Sequence, residues 1–171
     1  MKRHLIYIYT LILGLTLVLG GCSKDDDVKI IFTGKVWKLS YIFRDDNPKA
    51  YINFWYEDRD AEAKSIEIQK AAGNYEVEFN GAKIDGVFTG AISGKVVNTT
   101  FNGTWKADGE KKSFSTSSMQ WSGIEETDVL AQQFQKGLQN AFKYSGDANA
   151  LYIYYKDGEL INVIALLPRD R

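Results

Sequence analysis

The chain has 171 residues, with 21 Lys and Arg against 22 Asp and Glu, one His and one Cys. A net charge of −1 gives no basic footprint, which excludes a nucleic-acid-binding reading. The lone His4 and lone Cys22 leave no Ser-His-Asp or Cys-His machinery, no Cys/His zinc site and no internal disulfide. Ca²⁺ or Mg²⁺ on oxygen ligands and carboxylate acid–base chemistry stay open, and no cofactor is expected.

The chain opens on the basic stretch Met1-Lys2-Arg3-His4, followed by an uncharged apolar run from Leu5 to Leu19. That is the n-region and h-region of an export signal. At about fifteen residues the run is short of the roughly twenty that span a bilayer as a helix. Leu19-Gly20-Gly21-Cys22 then resembles the lipobox of bacterial lipoproteins, with Gly20 a mild departure at the second position. The resemblance implies cleavage between Gly21 and Cys22 and lipidation of Cys22. Several acyl chains on that residue hold a protein at a membrane stably. Loss of Lys2 and Arg3 with the signal moves the net charge from −1 to about −3.

Ser23 rather than Asp after the cysteine favours the outer membrane over the inner one in sorting of the enteric type. Ser23, Lys24, Asp25, Asp26 and Asp27 look like the acidic export tag of surface-displayed lipoproteins. The bland alternative is a solvated tether, with the domain facing the periplasm.

Beyond the tether, aromatics at 13% and only two Pro favour a compact β-rich domain. Val28 to Phe32 begin the ordered sequence. Gly34–Phe43 reads as a strand with Trp37, Leu39 and Tyr41 on one face. Tyr51–Tyr56 is a short strand or a packed turn. Asp58–Ala72 reads as a helix, capped by Asp58 or Asp60 and ended near Gly73. The competing reading makes Ser65–Ile68 a strand. Tyr75, Val77 and Phe79 alternate with Glu76 and Glu78, the pattern of a half-buried antiparallel strand.

Turn dipeptides recur at Asn80-Gly81, Asp85-Gly86, Asn102-Gly103 and Asp108-Gly109. Between them lie the expected strands Val87–Ser93, Lys95–Phe101, Thr104–Ala107 and Ser113–Trp121, a meander that suits a barrel or curled sheet. A second helix is expected after a capping box of Ser122 and Glu125, or a Thr127 cap. Its apolar stripe is Leu130, Phe134, Leu138, Ala141 and Phe142, and Gly146 ends it. A closing hairpin follows: Leu151–Tyr155, Asp157-Gly158 and Leu160–Leu167.

The closing third, with Phe134, Leu138, Tyr144, Asp147, Leu151-Tyr152-Ile153 and Asp157-Gly158, is similar to the end of META domains, small heat-inducible outer-membrane lipoproteins. Val36-Trp37-Lys38-Leu39 is similar to their opening strand. The Cys-containing segments of that family have no counterpart here. The resemblance implies a role in envelope integrity and no enzymatic activity. With the lipobox reading, the expected division is 1–21 signal peptide, 22–32 lipidated acidic tether and 33–171 single META-like domain. The fold expected is β-rich α+β, a curled antiparallel sheet or small barrel with two helices. A lipocalin-like barrel is the alternative, since Gly103-Thr104-Trp105 resembles that family's motif.

Other candidate sites have plain structural readings. Gly86, Gly90 and Gly94-Lys95 lack the helix and the Ser/Thr of a phosphate loop and suit turns and bulges. Asp58, Asp60 and Glu62 lack the later ligands of a calcium loop and suit a helix N-terminus. Glu125, Glu126 and Asp128 offer paired carboxylates for glycoside hydrolysis, or simply an acidic first helical turn. Tyr51, Phe54, Trp55 and Tyr56, and separately Tyr152, Tyr154 and Tyr155, could stack on sugar rings, although core packing is the commoner fate of such residues. The sequence therefore reads as a non-enzymatic, monomeric, lipid-anchored envelope domain that binds a ligand or protein partner or maintains the envelope. A carboxylate-dependent polysaccharide hydrolase and a structural subunit of a surface complex are the alternatives.

Overall fold

The computed structural model describes residues 24–51 and 54–169. The elements are α1 (Lys24–Phe32), β1 (Val36–Arg44), β2 (Asn47–Tyr51), α2 (Arg59–Lys70), β3 (Glu76–Ile84), β4 (Val87–Lys95), β5 (Thr99–Asp108), β6 (Ser113–Gly123), α3 (Val129–Gln139), β7 (Ala141–Gly146), β8 (Leu151–Asp157) and β9 (Leu160–Pro168). The sheet runs β1-β3-β4-β5-β6-β7-β8-β9, and β9 pairs back onto β1 from Trp37 to Arg44. Eight antiparallel strands thus close a barrel, and β2 is a short flap hairpinned onto the end of β1. The β-rich α+β expectation holds, in a barrel form that also fits the lipocalin-like alternative.

Eight strands enclose a space that side chains can just fill. Here α1 adds three side chains to the inward-facing residues of the strands. Val28, Ile31 and Phe32 lie one helical turn apart and are buried. The Phe32 ring sits 4.9 Å from Trp105, 5.0 Å from Phe79, 5.3 Å from Phe114 and 5.0 Å from Tyr144, measured between centroids. This corrects the tether boundary. The stretch from Lys24 is a third helix, and its second half is core. Asp27 falls in its first turn, where the helix dipole favours negative charge.

The inward alternation of Tyr75, Val77 and Phe79 is as expected, and all three are fully buried. In β1 it breaks. A register shift between Leu39 and Tyr41 turns Tyr41 outward and brings Ile42 inward. Asp85-Gly86 and the loop after Asp108 are turns. Asn80-Gly81 and Asn102-Gly103 instead lie inside β3 and β5. The expected strands Lys95–Phe101 and Thr104–Ala107 are therefore one strand, and the real turn is 96–98. Gly90 and Gly94 are ladder positions rather than bulges. A Cβ there would lie 2.0 Å from the Asn80 and Glu76 carbonyl oxygens.

Asp58 caps α2 as expected, accepting from Ala61 N. The helix repairs a gap in the barrel. β1 pairs with β3 only through Lys38, then turns to β2, which leaves the Leu39 and Ser40 carbonyls without strand partners on that edge. The Gln69 amide donates to both. Lys38 Nζ adds bonds to the Ala71 and Asn74 carbonyls at 2.8 and 2.9 Å.

The cap of α3 is Asp128, not Ser122 or Thr127, and the helix stops at Gln139. Ala141 and Phe142 continue its apolar spacing but belong to β7, and Gly146 ends that strand at φ +127°. Leu130, Phe134 and Leu138 are buried as expected. Gly137 lets α3 settle on the barrel, since a Cβ there would meet Ile164 Cδ1 at 2.5 Å and the Tyr155 ring at 3.0 Å.

Candidate functional site

The two aromatic groups singled out in the sequence are divided by the fold. Trp55 is buried, and its indole donates to Ser65 Oγ at 2.8 Å. Phe54 packs on the core, Tyr51 closes β2 opposite Phe43, and Tyr56 is 92% exposed. Tyr155 points into the barrel, whereas Tyr152 and Tyr154 alternate outward on β8. They share that outer face with Phe43 and with Tyr41, which the sequence placed on the inner face with Trp37 and Leu39. Tyr41 and Phe43 lie 5.5 Å apart, and Phe43 and Tyr152 6.3 Å apart. Between the two pairs, Val163 and Ala165 on β9 are buried yet stand outside the core cluster. Lys143 lies 4.5 Å over the Tyr154 ring. The result is an aromatic strip on the outer wall. An open cleft of about 520 Å³ lies on the same part of the barrel, lined by Lys38, Ser40, Gln69, Lys70, Leu167 and Arg169. Burial lowers the Lys38 ammonium below its ordinary value, Glu76 opposes this, and Arg169 reinforces it.

The acidic candidates separate in the same way. Asp128 is structural. Its Oδ1 accepts from Ala131 N and the Tyr75 hydroxyl, both at 2.9 Å, and its Oδ2 accepts from Ser65 Oγ. Glu125 and Glu126 are not in a helical turn but in the extended segment before the Asp128 cap.

Glu126 is only 2% exposed. Its Oε1 accepts from three successive amides of the β4–β5 turn, Val97 at 3.0 Å, Asn98 at 2.8 Å and Thr99 at 2.9 Å, and from Thr99 Oγ1 at 2.9 Å. This is a backbone anion nest filled from within the chain. Its Oε2, by contrast, is buried with no hydrogen-bond partner among the described residues. Trp121 Nε1 is in the same condition.

Both residues line one pocket of about 280 Å³ at the barrel rim, with Thr99, Glu125, Gln135 and Gln139. β5 supplies Thr99, the end of β6 supplies Trp121, and one flank of α3 supplies the two glutamines. Gln135 Nε2 is held on Thr99 Oγ1 at 3.0 Å, and the Trp121 ring leans on Phe101 at 5.1 Å. A buried acceptor and a buried donor without partners thus share one polar pocket. Trp121, Gln135 and Gln139 carried no local signal; only their convergence on Glu126 marks them. Among the described residues, no three Asp, Glu, His or Cys gather to hold a metal ion.

Gly21, Cys22 and Ser23, the expected cleavage and lipidation region, lie outside the described residues. Of the expected export tag, Lys24 to Asp27 form the start of α1. No described helix is long and apolar enough to cross a membrane.

The molecule is thus a closed antiparallel barrel with a plugged interior and a polar pocket at its rim. Residues 23–168 match the family described as a domain of unknown function, DUF4847, and the chain belongs to that family. It is similar in fold to the 1.00 Å crystal structure of a DUF4847 family protein from Bacteroides vulgatus ATCC 8482. The TM-score is 0.57 at 21% identity, over 84% of this chain and 99% of that one. A comparison with curated proteins gave no match.

Proposed function

We propose that this chain is a non-enzymatic lipoprotein domain, anchored at the outer membrane through Cys22 and facing the cell exterior, that binds a ligand in its rim pocket. The observation carrying the ligand-binding part is the pairing of unsatisfied Glu126 Oε2 and Trp121 Nε1 in one pocket. Buried polar groups in folded proteins are nearly always satisfied, and exceptions tend to be functional. Phe32 and its neighbours fill the barrel interior, which directs recognition to the rim and the outer wall. The anchor rests on Leu19-Gly20-Gly21-Cys22, and the surface orientation on Ser23–Asp27. The likeness to META domains supports an envelope setting.

Labelled palmitate incorporation and protease treatment of intact cells test the anchor and orientation. The expected result is label in the wild type, none in Cys22→Ser, and loss of the protein on cells whose periplasmic lipoproteins survive. Survival until the outer membrane is broken would turn the domain toward the periplasm. For the pocket, the test is titration of the ¹⁵N-labelled chain with soluble envelope fragments. A shift of the Trp121 indole resonance, assigned through Trp121→Phe, is expected.

A structural subunit of a surface complex is the second reading, favoured by the strip of Tyr41, Phe43, Tyr152 and Tyr154. On native gels of detergent-solubilised membranes, it expects the wild type in a larger complex and a Tyr41→Ser/Tyr152→Ser variant as the free domain.

A further inference from the structure

We infer that the rim pocket takes a single neutral sugar ring, held by Trp121 and Glu126, an inference that rests on the ligand-binding reading above. Trp121 Nε1 can only donate, and a carboxylate oxygen such as Glu126 Oε2 accepts. A ligand that satisfies both must carry an acceptor and a donor close together. A hydroxyl is both at once, and neighbouring hydroxyls on a ring provide the pair. An ammonium answers Glu126 but leaves the indole unpaired. A carboxylate or phosphate answers the indole but meets Glu125 and Glu126, and neither Lys nor Arg lines the pocket.

The rest of the pocket fits the same chemistry. Gln139 and Gln135 bring amides, groups that both donate and accept. The half-buried indole of Trp121 offers an apolar face to the C–H side of a ring. At about 280 Å³ the space falls just below the usual range for drug-sized ligands, the scale of one ring of a glycan chain. Glu126 is held in place by its nest through Oε1, which leaves Oε2 oriented without a mobile side chain to freeze. Glu125 and Gln139 are exposed where they line the pocket.

The test uses the full chain in a zwitterionic detergent, which keeps alkyl-sugar detergents away from the pocket. With ¹⁵N-indole labelling, it is titrated with D-glucose, D-galactose, D-mannose, L-rhamnose and N-acetyl-D-glucosamine, and with tetramethylammonium chloride and sodium acetate. The expected result is a saturable shift of the Trp121 indole by at least one sugar, with the Trp37 and Trp105 indoles unmoved. Glu126→Gln turns the unpaired acceptor into a donor, and Trp121→Phe removes the donor while keeping a ring. By ligand-observed saturation transfer, each is expected to weaken that sugar about tenfold or more.

Undiminished sugar binding in both variants overturns the inference. A shift by tetramethylammonium or acetate with none by any sugar also overturns it, and leaves the ligand-binding reading standing. A Trp121 indole unmoved by every probe and by envelope fragments brings down both.

Discussion

One carboxylate oxygen of Glu126 gathers both the amide and the hydroxyl of Thr99, each at 2.9 Å, across 27 residues of sequence. The same oxygen holds the Val97 and Asn98 amides, so the tight β4–β5 turn depends on a side chain from the segment before α3. Glu126→Ala removes the acceptor of three turn amides. It is expected to cost about 3–5 kcal/mol. Glu126→Gln retains a carbonyl for the nest and should cost only about 1–2 kcal/mol. Urea unfolding of the two variants measures the difference. Equal costs would mean that the nest does not depend on the oxygen it is built around.

Phe32 ties α1 to the barrel wall through four aromatic neighbours. Phe32→Ala is expected to destabilise by about 3–5 kcal/mol, as for a fully packed aromatic. Asp27→Asn, on the exposed face of the same helix, should change stability by less than about 0.5 kcal/mol. A tether would show no such contrast. Thermal unfolding of both variants decides whether the folded unit begins at α1.

The contrast between what was legible and what was not runs along the same line. Alternation in Tyr75, Val77 and Phe79 is local and survives into the structure. The Asp58 cap is also local, as is the Asp157-Gly158 hairpin. Asn80-Gly81 carries the same local signal as a turn but sits mid-strand, because Gly81 faces Gly90 across β3 and β4. The two glycines permit a backbone approach that no other residue allows. Ala141 and Phe142 continue the spacing of α3, and only the closing of the barrel assigns them to β7. α1 was hidden because its charges read as a tether, while Phe32 gains its role only from rings 47 to 112 residues away. The rim pocket needs β5, β6 and α3 together, so no stretch of sequence contains it.

That reading of Gly90 has a direct test. A Cβ at Gly90 would lie 2.0 Å from the Asn80 oxygen and 2.4 Å from Gly81 Cα, both backbone atoms. Gly90→Ala cannot be absorbed by a rotamer change and must push the strands apart. A loss of at least about 1–3 kcal/mol is expected, the range for overpacking. Gly86→Asn, at φ +83° in the β3–β4 turn, has open space around it and a residue type that tolerates this backbone. It should stay within about 1 kcal/mol of the wild type. Melting temperatures of the pair check the assignment of one glycine to packing and the other to a turn.

Tyr155 should give the barrel a pH dependence at the alkaline end. Its hydroxyl donates to Gln133 Oε1 at 3.3 Å and accepts from Asn162 Nδ2 at 3.4 Å. Burial pushes it above the ordinary tyrosine value of 10.0; the Asn162 bond pulls the other way, and Asp157 adds to the rise. A raised value in the folded state means that the unfolded chain ionises first. The stability this group contributes is therefore complete below pH 10.0 and is lost as pH climbs above it. Tyr155→Phe costs about 1 kcal/mol at pH 7, by stranding Gln133 and Asn162, and carries no phenol to titrate. The advantage of wild type over Tyr155→Phe is then expected to shrink steadily above pH 10. Lys35 and Lys38, whose ammonium groups burial lowers, act in the opposite direction, since their penalty fades toward 10.5. They are common to both proteins and cancel in the comparison. Urea midpoints of the two chains between pH 7 and 11.5 give the curve, and a constant difference across that range would mean that Tyr155 ionises as freely in the barrel as in the unfolded chain.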